Sequence, residues 1–181
     1  NALTGAEEAS YSLAEYPVSD AVVGNLDSDA NLEIAIITRN TISATYGRLR
    51  IFNLASGSLS EIATFPTTDD MIVREKTAPD IFDIDNDGTN DIVFMSNNGT
   101  FYAISNNGQL KFSNYLGGNS SSTPAIGDID ADGTAEIATK NIVFGGAAAL
   151  ADQKTIITSL DGGNITTLSQ TEDDVLSIGG S

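Results

Sequence analysis

Apolar residues in this chain fall into short β-prone runs that lack helical spacing. Ile34-Ala35-Ile36-Ile37, Leu49-Arg50-Ile51-Phe52, Ile92-Val93-Phe94-Met95, Phe101-Tyr102-Ala103-Ile104 and Thr155-Ile156-Ile157-Thr158 are the clearest. Acidic stretches and glycine turns separate them, the pattern of strands joined by tight connections. Helices have no place in it.

Two of the acidic stretches share one spacing. Asp83-Ile84-Asp85-Asn86-Asp87-Gly88-Thr89-Asn90-Asp91 and Asp128-Ile129-Asp130-Ala131-Asp132-Gly133-Thr134-Ala135-Glu136 both read D-x-D-x-D-G-x-x-[DE]. Side-chain oxygens at positions 1, 3 and 5 can converge while the position-6 glycine turns the chain. The position-7 carbonyl (Thr89, Thr134) and the position-9 acid then complete an oxygen shell of the kind calcium takes. Acids packed this closely repel one another unless a cation sits among them. An acidic turn without an ion is the plainer alternative, and two full copies with matching flanks argue against it. The EF-hand needs a bidentate Glu at position 12. Phe94 and Thr139 stand there, so that reading fails.

A third, worn copy begins at Asn25 and offers Asn25, Asp27, Asp29, Asn31 and Glu33 as weaker candidates. Asn25 replaces an acid, and Ala30 replaces the turn glycine, where positive φ would strain a residue with a Cβ. Weak or absent metal is expected there. Asp85→Ala or Asp130→Ala is therefore expected to cost more stability than Asp27→Ala.

The loops belong to a longer repeat. Val23, Ile81 and Ile126 lie two residues before each loop, and Ile34, Ile92 and Ile137 follow it. Each unit later carries a β-prone run and a glycine turn, at Gly57, Gly108 and Gly163. The unit reads as strand a, acidic loop, strand b, strand c, glycine hairpin and strand d. The fold class expected is all-β, with β-propeller blades of four antiparallel strands. A β-sandwich with calcium loops is the alternative, but it gives no reason for the loop to recur at one place. Three blades are expected, at about residues 17–66, 78–116 and 122–170. Residues 66–77 would join the first to the second. Tyr11–Tyr16, within residues 1–16, is expected as a strand of a preceding blade, and residues 172–181 as the start of a following one. Rings close with four to eight blades. The chain is thus expected to be a segment of a larger propeller, or one completed by other copies.

Composition removes several classes. Cys and His are both absent, so thiol chemistry, Ser-His-Asp or Cys-His arrangements and most zinc sites are excluded. With 25 acidic and 8 basic residues the net charge is −17, which disfavours nucleic acids and anionic membrane surfaces. No apolar run is long enough for a membrane span. Calcium sites of this kind suit extracellular modules.

Ser122-Thr-Pro124-Ala-Ile-Gly-Asp128-Ile-Asp-Ala-Asp-Gly-Thr-Ala-Glu136-Ile137 resembles the core phrase of the FG-GAP/VCBS repeat family, whose propeller blades carry such a loop between their first two strands. The resemblance spans about residues 17–170. It implies calcium at Asp83, Asp85, Asp87, Thr89 and Asp91, and again at Asp128, Asp130, Asp132, Thr134 and Glu136. A literal Gly-Ala-Pro signature is missing, although Phe144-Gly-Gly-Ala147 falls near its place, so the VCBS-like branch is the better likeness. The leading functional expectation is a non-enzymatic, calcium-stabilised module for extracellular interaction or adhesion, taking a protein or glycan ligand at the cell surface. The alternatives are a segment of a propeller-type polysaccharide lyase and a lectin-like carbohydrate binder. A lyase needs a base and cations, for which Arg48 and Arg50 are read as a solvated strand face. A lectin favours aromatic platforms, yet Trp is absent and only Tyr46, Tyr102 and Tyr115 stand as candidates.

Overall fold

The computed structural model describes residues 3–67, 71–73, 78–116, 119–120, 123–129, 131, 133–143, 152–159 and 164–170. Asp130, Asp132, the Phe144–Ala147 stretch, Gly163, residues 172–181 and most of the 66–77 connection lie outside them. The described residues are all-β and form three antiparallel sheets. The first sheet contains β1 (Tyr16–Pro17), β2 (Val22–Gly24), β3 (Leu32–Arg39), β4 (Tyr46–Ala55), β5 (Ser58–Phe65) and β6 (Met71–Ile72). The second contains β7 (Asp80–Phe82), β8 (Asp91–Met95), β9 (Thr100–Ile104) and β10 (Leu110–Tyr115). The third contains β11 (Asn119–Ser120), β12 (Ala125–Gly127), β13 (Glu136–Val143), β14 (Asp152–Ser159) and β15 (Asn164–Gln170).

Each sheet has the same four-strand meander, and the register repeats with it. Val23 faces Ile34, Ile81 faces Ile92, and Ile126 faces Ile137. These are the flanking positions that recur in the sequence. The acidic loop joins the first two strands of each meander: β2 to β3, β7 to β8, and β12 to β13. In the first and third sheets the leading strand is interrupted, with β1 and β11 pairing further along β3 and β13. Ser56 (φ 52°) and Gly57 (φ 75°) make the two-residue connection between β4 and β5. Positive φ at both positions matches the twist of a tight hairpin.

The sheets stack through two apolar layers. Ile92, Phe94 and Ile104 of the second sheet pack with Ala35, Ile37, Leu49 and Ile51 of the first. Val93, Met95, Phe101 and Ala103 point the other way and pack with Ile137 of the third. Alternation along β8 and β9 sends successive side chains to opposite layers, so all five residues of β8 are buried. Burying each large apolar side chain contributes about 1.5–3 kcal/mol. Leu26 and Ile84, the position-2 residues of the first two loops, seal these layers, whereas Ile129 of the third loop is exposed. Stacked four-stranded sheets of this kind are propeller blades in architecture.

The outer face of the first sheet departs from the sequence reading. Only Tyr16–Pro17 is a strand, and it pairs with β3; Tyr11–Glu15 is not. Its residues lie over Ile34, Ile36, Phe52 and Leu59, with the Tyr11 and Phe52 rings 4.8 Å apart. Glu15 reaches Arg48 at 3.4 Å and Arg50 at 3.2 Å, and Glu61 also pairs with Arg50. Arg48 and Arg50 are therefore not a solvated face. Alternation put them on one side of β4, where Glu15 of the N-terminal segment and Glu61 of β5 meet them.

Candidate metal-binding loops

The three acidic loops lie at corresponding ends of adjacent blades and touch one another. Asn90 Nδ2 of the second loop donates to the Asn25 carbonyl of the first at 2.8 Å. Asn86 Nδ2 donates to the Gly133 carbonyl of the third at 3.2 Å. Backbone turns shape each loop: Ser28 (φ 68°), Asn86 (φ 55°) and Ala131 (φ 62°) share positive φ at position 4. No residue pattern announces this turn, since Ser, Asn and Ala have no common chemistry.

At position 6, Gly88 (φ 89°) and Gly133 (φ 90°) adopt the left-handed turn expected of them. Ala30 does not, so the strain anticipated there never arises. The first loop closes by another route. Asn25 Oδ1 accepts from the Ser28 amide at 2.6 Å, and Asn25 Nδ2 donates to the Asp29 carbonyl at 2.5 Å. In the second loop the Asp83 carboxylate instead accepts from the amides of Asp87 (3.1 Å) and Gly88 (2.9 Å). Asp128 accepts from the Gly133 amide in the third (3.0 Å). The chain can reach that carboxylate from position 6 only through the glycine turn.

The position-9 acid is the buried member of each set. Glu33, Asp91 and Glu136 are at most 1 % exposed. Glu33 Oε2 accepts from the Leu26 amide at 2.8 Å, and Glu136 Oε2 from the Ile129 amide at 2.7 Å. The second oxygen of each, Oε1, is buried without a hydrogen-bond partner among the described residues. A buried carboxylate oxygen left unpaired is costly. Burial, with the nearby charges of Asp27 and Asp29, raises the Glu33 pKa against the opposing hydrogen bond from Leu26.

Ligand-capable oxygens converge in two of the loops. Atoms of Asp27, Asp29 and Glu33 lie within 4.8 Å of one another, as do atoms of Asp83, Asp85 and Asp87. Asn31 donates to both Asp29 oxygens, at 2.5 Å from its amide and 2.9 Å from its side chain. Thr89 donates to Asp87 Oδ1 through its amide at 2.8 Å and through its hydroxyl. The donor sets are all oxygen, which suits a hard cation such as calcium. The unpaired Glu33 and Glu136 oxygens fit the same ion. In the third loop Asp128 and Glu136 are described, while the Asp130 and Asp132 positions are not.

One residue of this site was absent from the sequence reading. Lys111 Nζ lies 2.9–3.0 Å from carboxylate oxygens of Asp85, Asp87 and Asp91. Partial burial would lower its pKa, but the three carboxylates outweigh burial and hold the ammonium above its ordinary range. Hydrogen bonds from Thr89 and then from Lys111 hold Asp87 down at about 2. Burial raises Asp91, and Lys111 opposes that rise. The available signal was slight. Lys111 stands three residues after the hairpin glycine, where the other units have Ser60 and Thr166.

A family model described as FG-GAP-like repeat matches residues 83–139, from the second acidic loop through the third. That stretch is similar to an FG-GAP-like repeat, a type that builds propellers. A search of curated proteins finds no match to the chain.

Proposed function

We propose that this chain is a non-enzymatic, calcium-stabilised propeller module serving extracellular interaction or adhesion, with a protein or glycan partner at the cell surface. The observation that carries the calcium reading is the pair of buried carboxylate oxygens of Glu33 and Glu136, at the ninth position of two loops, that have no hydrogen-bond partner among the described residues. Calcium would be held by Asp83, Asp85, Asp87, Thr89 and Asp91, by Asp128, Asp130, Asp132, Thr134 and Glu136, and by Asp27, Asp29 and Glu33 of the first loop. When bound, the ion neutralises acids that otherwise repel, so binding free energy becomes folding free energy. The matched FG-GAP-like repeat supports the module reading and an extracellular setting. The lyase alternative loses ground because Arg48 and Arg50, its candidate cations, are engaged by Glu15 and Glu61.

Thermal unfolding with and without excess chelator tests the proposal. Free calcium at a hundred times its Kd adds about 2.7 kcal/mol for each site. Chelation is therefore expected to lower Tm by several degrees, and calcium to restore it. An unchanged melting curve would sink the calcium role. Turnover of acidic polysaccharides by the calcium-loaded protein would sink the non-enzymatic reading.

A further inference from the structure

We infer that Lys111 is a tethered cation that occupies the centre of the second acidic loop, closes that loop without metal, and competes with calcium for it. The inference rests on the calcium reading above. It concerns this chain's own residue, at a position where its sister repeats carry no charge.

Three observations converge. First, five carboxylate oxygens surround the Lys111 ammonium at 2.9–3.0 Å: both from Asp85, one from Asp87 and both from Asp91. These acids stand at loop positions 3, 5 and 9, which are calcium-ligand positions in the motif. Second, the position-9 acids of the flanking loops each keep one buried oxygen without a partner among the described residues, whereas both oxygens of Asp91 face Lys111. Third, the β9–β10 register slips between Leu110 and Phe112, making Lys111 the bulged residue. A bulge re-aims a side chain out of the regular alternation. Here the neighbour Phe112 keeps its place against Phe101 in the core layer while Lys111 reaches the loop.

The chemistry makes the two cations exclusive. Calcium draws six to eight oxygens to 2.3–2.6 Å, and the ammonium holds the same oxygens with hydrogen bonds. Two like charges cannot share that small a space without repulsion. Calcium must therefore displace Lys111, and the consensus loop binds it more weakly than its motif implies. One ammonium also cancels less charge than one divalent ion, so the second loop stays acidic and accepts calcium at higher concentration. The first and third loops have no such tether among the described residues.

Calorimetric calcium titration of the native chain and of Lys111→Met provides the test, with terbium luminescence as a second binding readout. Lys111→Met is expected to tighten one calcium site by at least tenfold, and adding Asp85→Asn to it should remove that gain. Calcium binding to the native chain with no tightening in Lys111→Met overturns the inference and leaves the calcium reading standing. Absence of calcium binding to either protein overturns both. If the variant fails to fold, amine labelling of the native chain read by mass spectrometry decides. Lys111 is expected to be protected in chelator and to become reactive as calcium is added. Calcium binding that leaves Lys111 protected overturns the inference.

Discussion

The first and second acidic loops occupy the same place between the first two strands of neighbouring blades, yet they meet their charge in opposite ways. By sequence the second is intact and the first is worn. In the structure the intact loop holds a lysine ammonium among its acids, and the worn one buries a carboxylate oxygen with no partner. The consensus spacing records where ligands can stand. How strongly a loop needs an ion depends on which charges the rest of the fold brings to it. A motif score and a demand for metal are separate quantities.

Paired substitutions measured in chelator probe that contrast most strongly. Asp91→Asn removes a buried charged partner of Lys111 and is expected to destabilise the protein by about 2 kcal/mol, since hydrogen bonds to charged groups contribute about 1.5–3. Glu33→Gln should act in the opposite direction, by about 1 kcal/mol. It removes a buried charge and still offers an oxygen to the Leu26 amide. Denaturant midpoints read both, and losses of the same sign and size would erase the distinction between the loops.

The turn geometry gives the next effects. Gly88→Ala forces a Cβ into φ 89° and is expected to cost about 1–2 kcal/mol. Asn90→Ala deletes the bond that ties the second loop to the first, at about 1 kcal/mol. Amide exchange should then rise in both loops, and a rise confined to the second would show that they are not coupled. Smallest is Ala30→Gly, the change that restores the consensus. Ala30 has no positive φ, so glycine there only adds unfolded-state entropy and should destabilise by less than about 1 kcal/mol. A gain in stability would mean that the first loop prefers the route of the second.

Much of this architecture was legible along the chain. The recurrence of Val23, Ile81 and Ile126 against Ile34, Ile92 and Ile137 gave both the blade and its register. Strand pairing across a fixed loop length leaves little choice of partner. The glycine turns at positions 88 and 133 were legible for a similar reason, because positive φ strongly favours one residue type. Less legible were the position-4 turns at Ser28, Asn86 and Ala131, where three unlike residues adopt one conformation. Arg48 and Arg50 were misread because Glu15 reaches them from a segment whose pattern pointed to a strand of another blade, and which crosses this sheet without being one.

The sequence by itself determined that strands meander in fours, that acids gather between the first two of each, and at what spacing those acids stand. These features are local, set by side-chain alternation, turn chemistry and ligand spacing. Only the tertiary structure decided which carboxylates would be buried, which would be paired, and with what. Asp91 and Lys111 lie 20 residues apart on different strands and meet through a bulge. Glu33 and Glu136 are desolvated by the blades closing around them. Charge in a protein interior takes its cost from its neighbours, and those neighbours are assigned by packing.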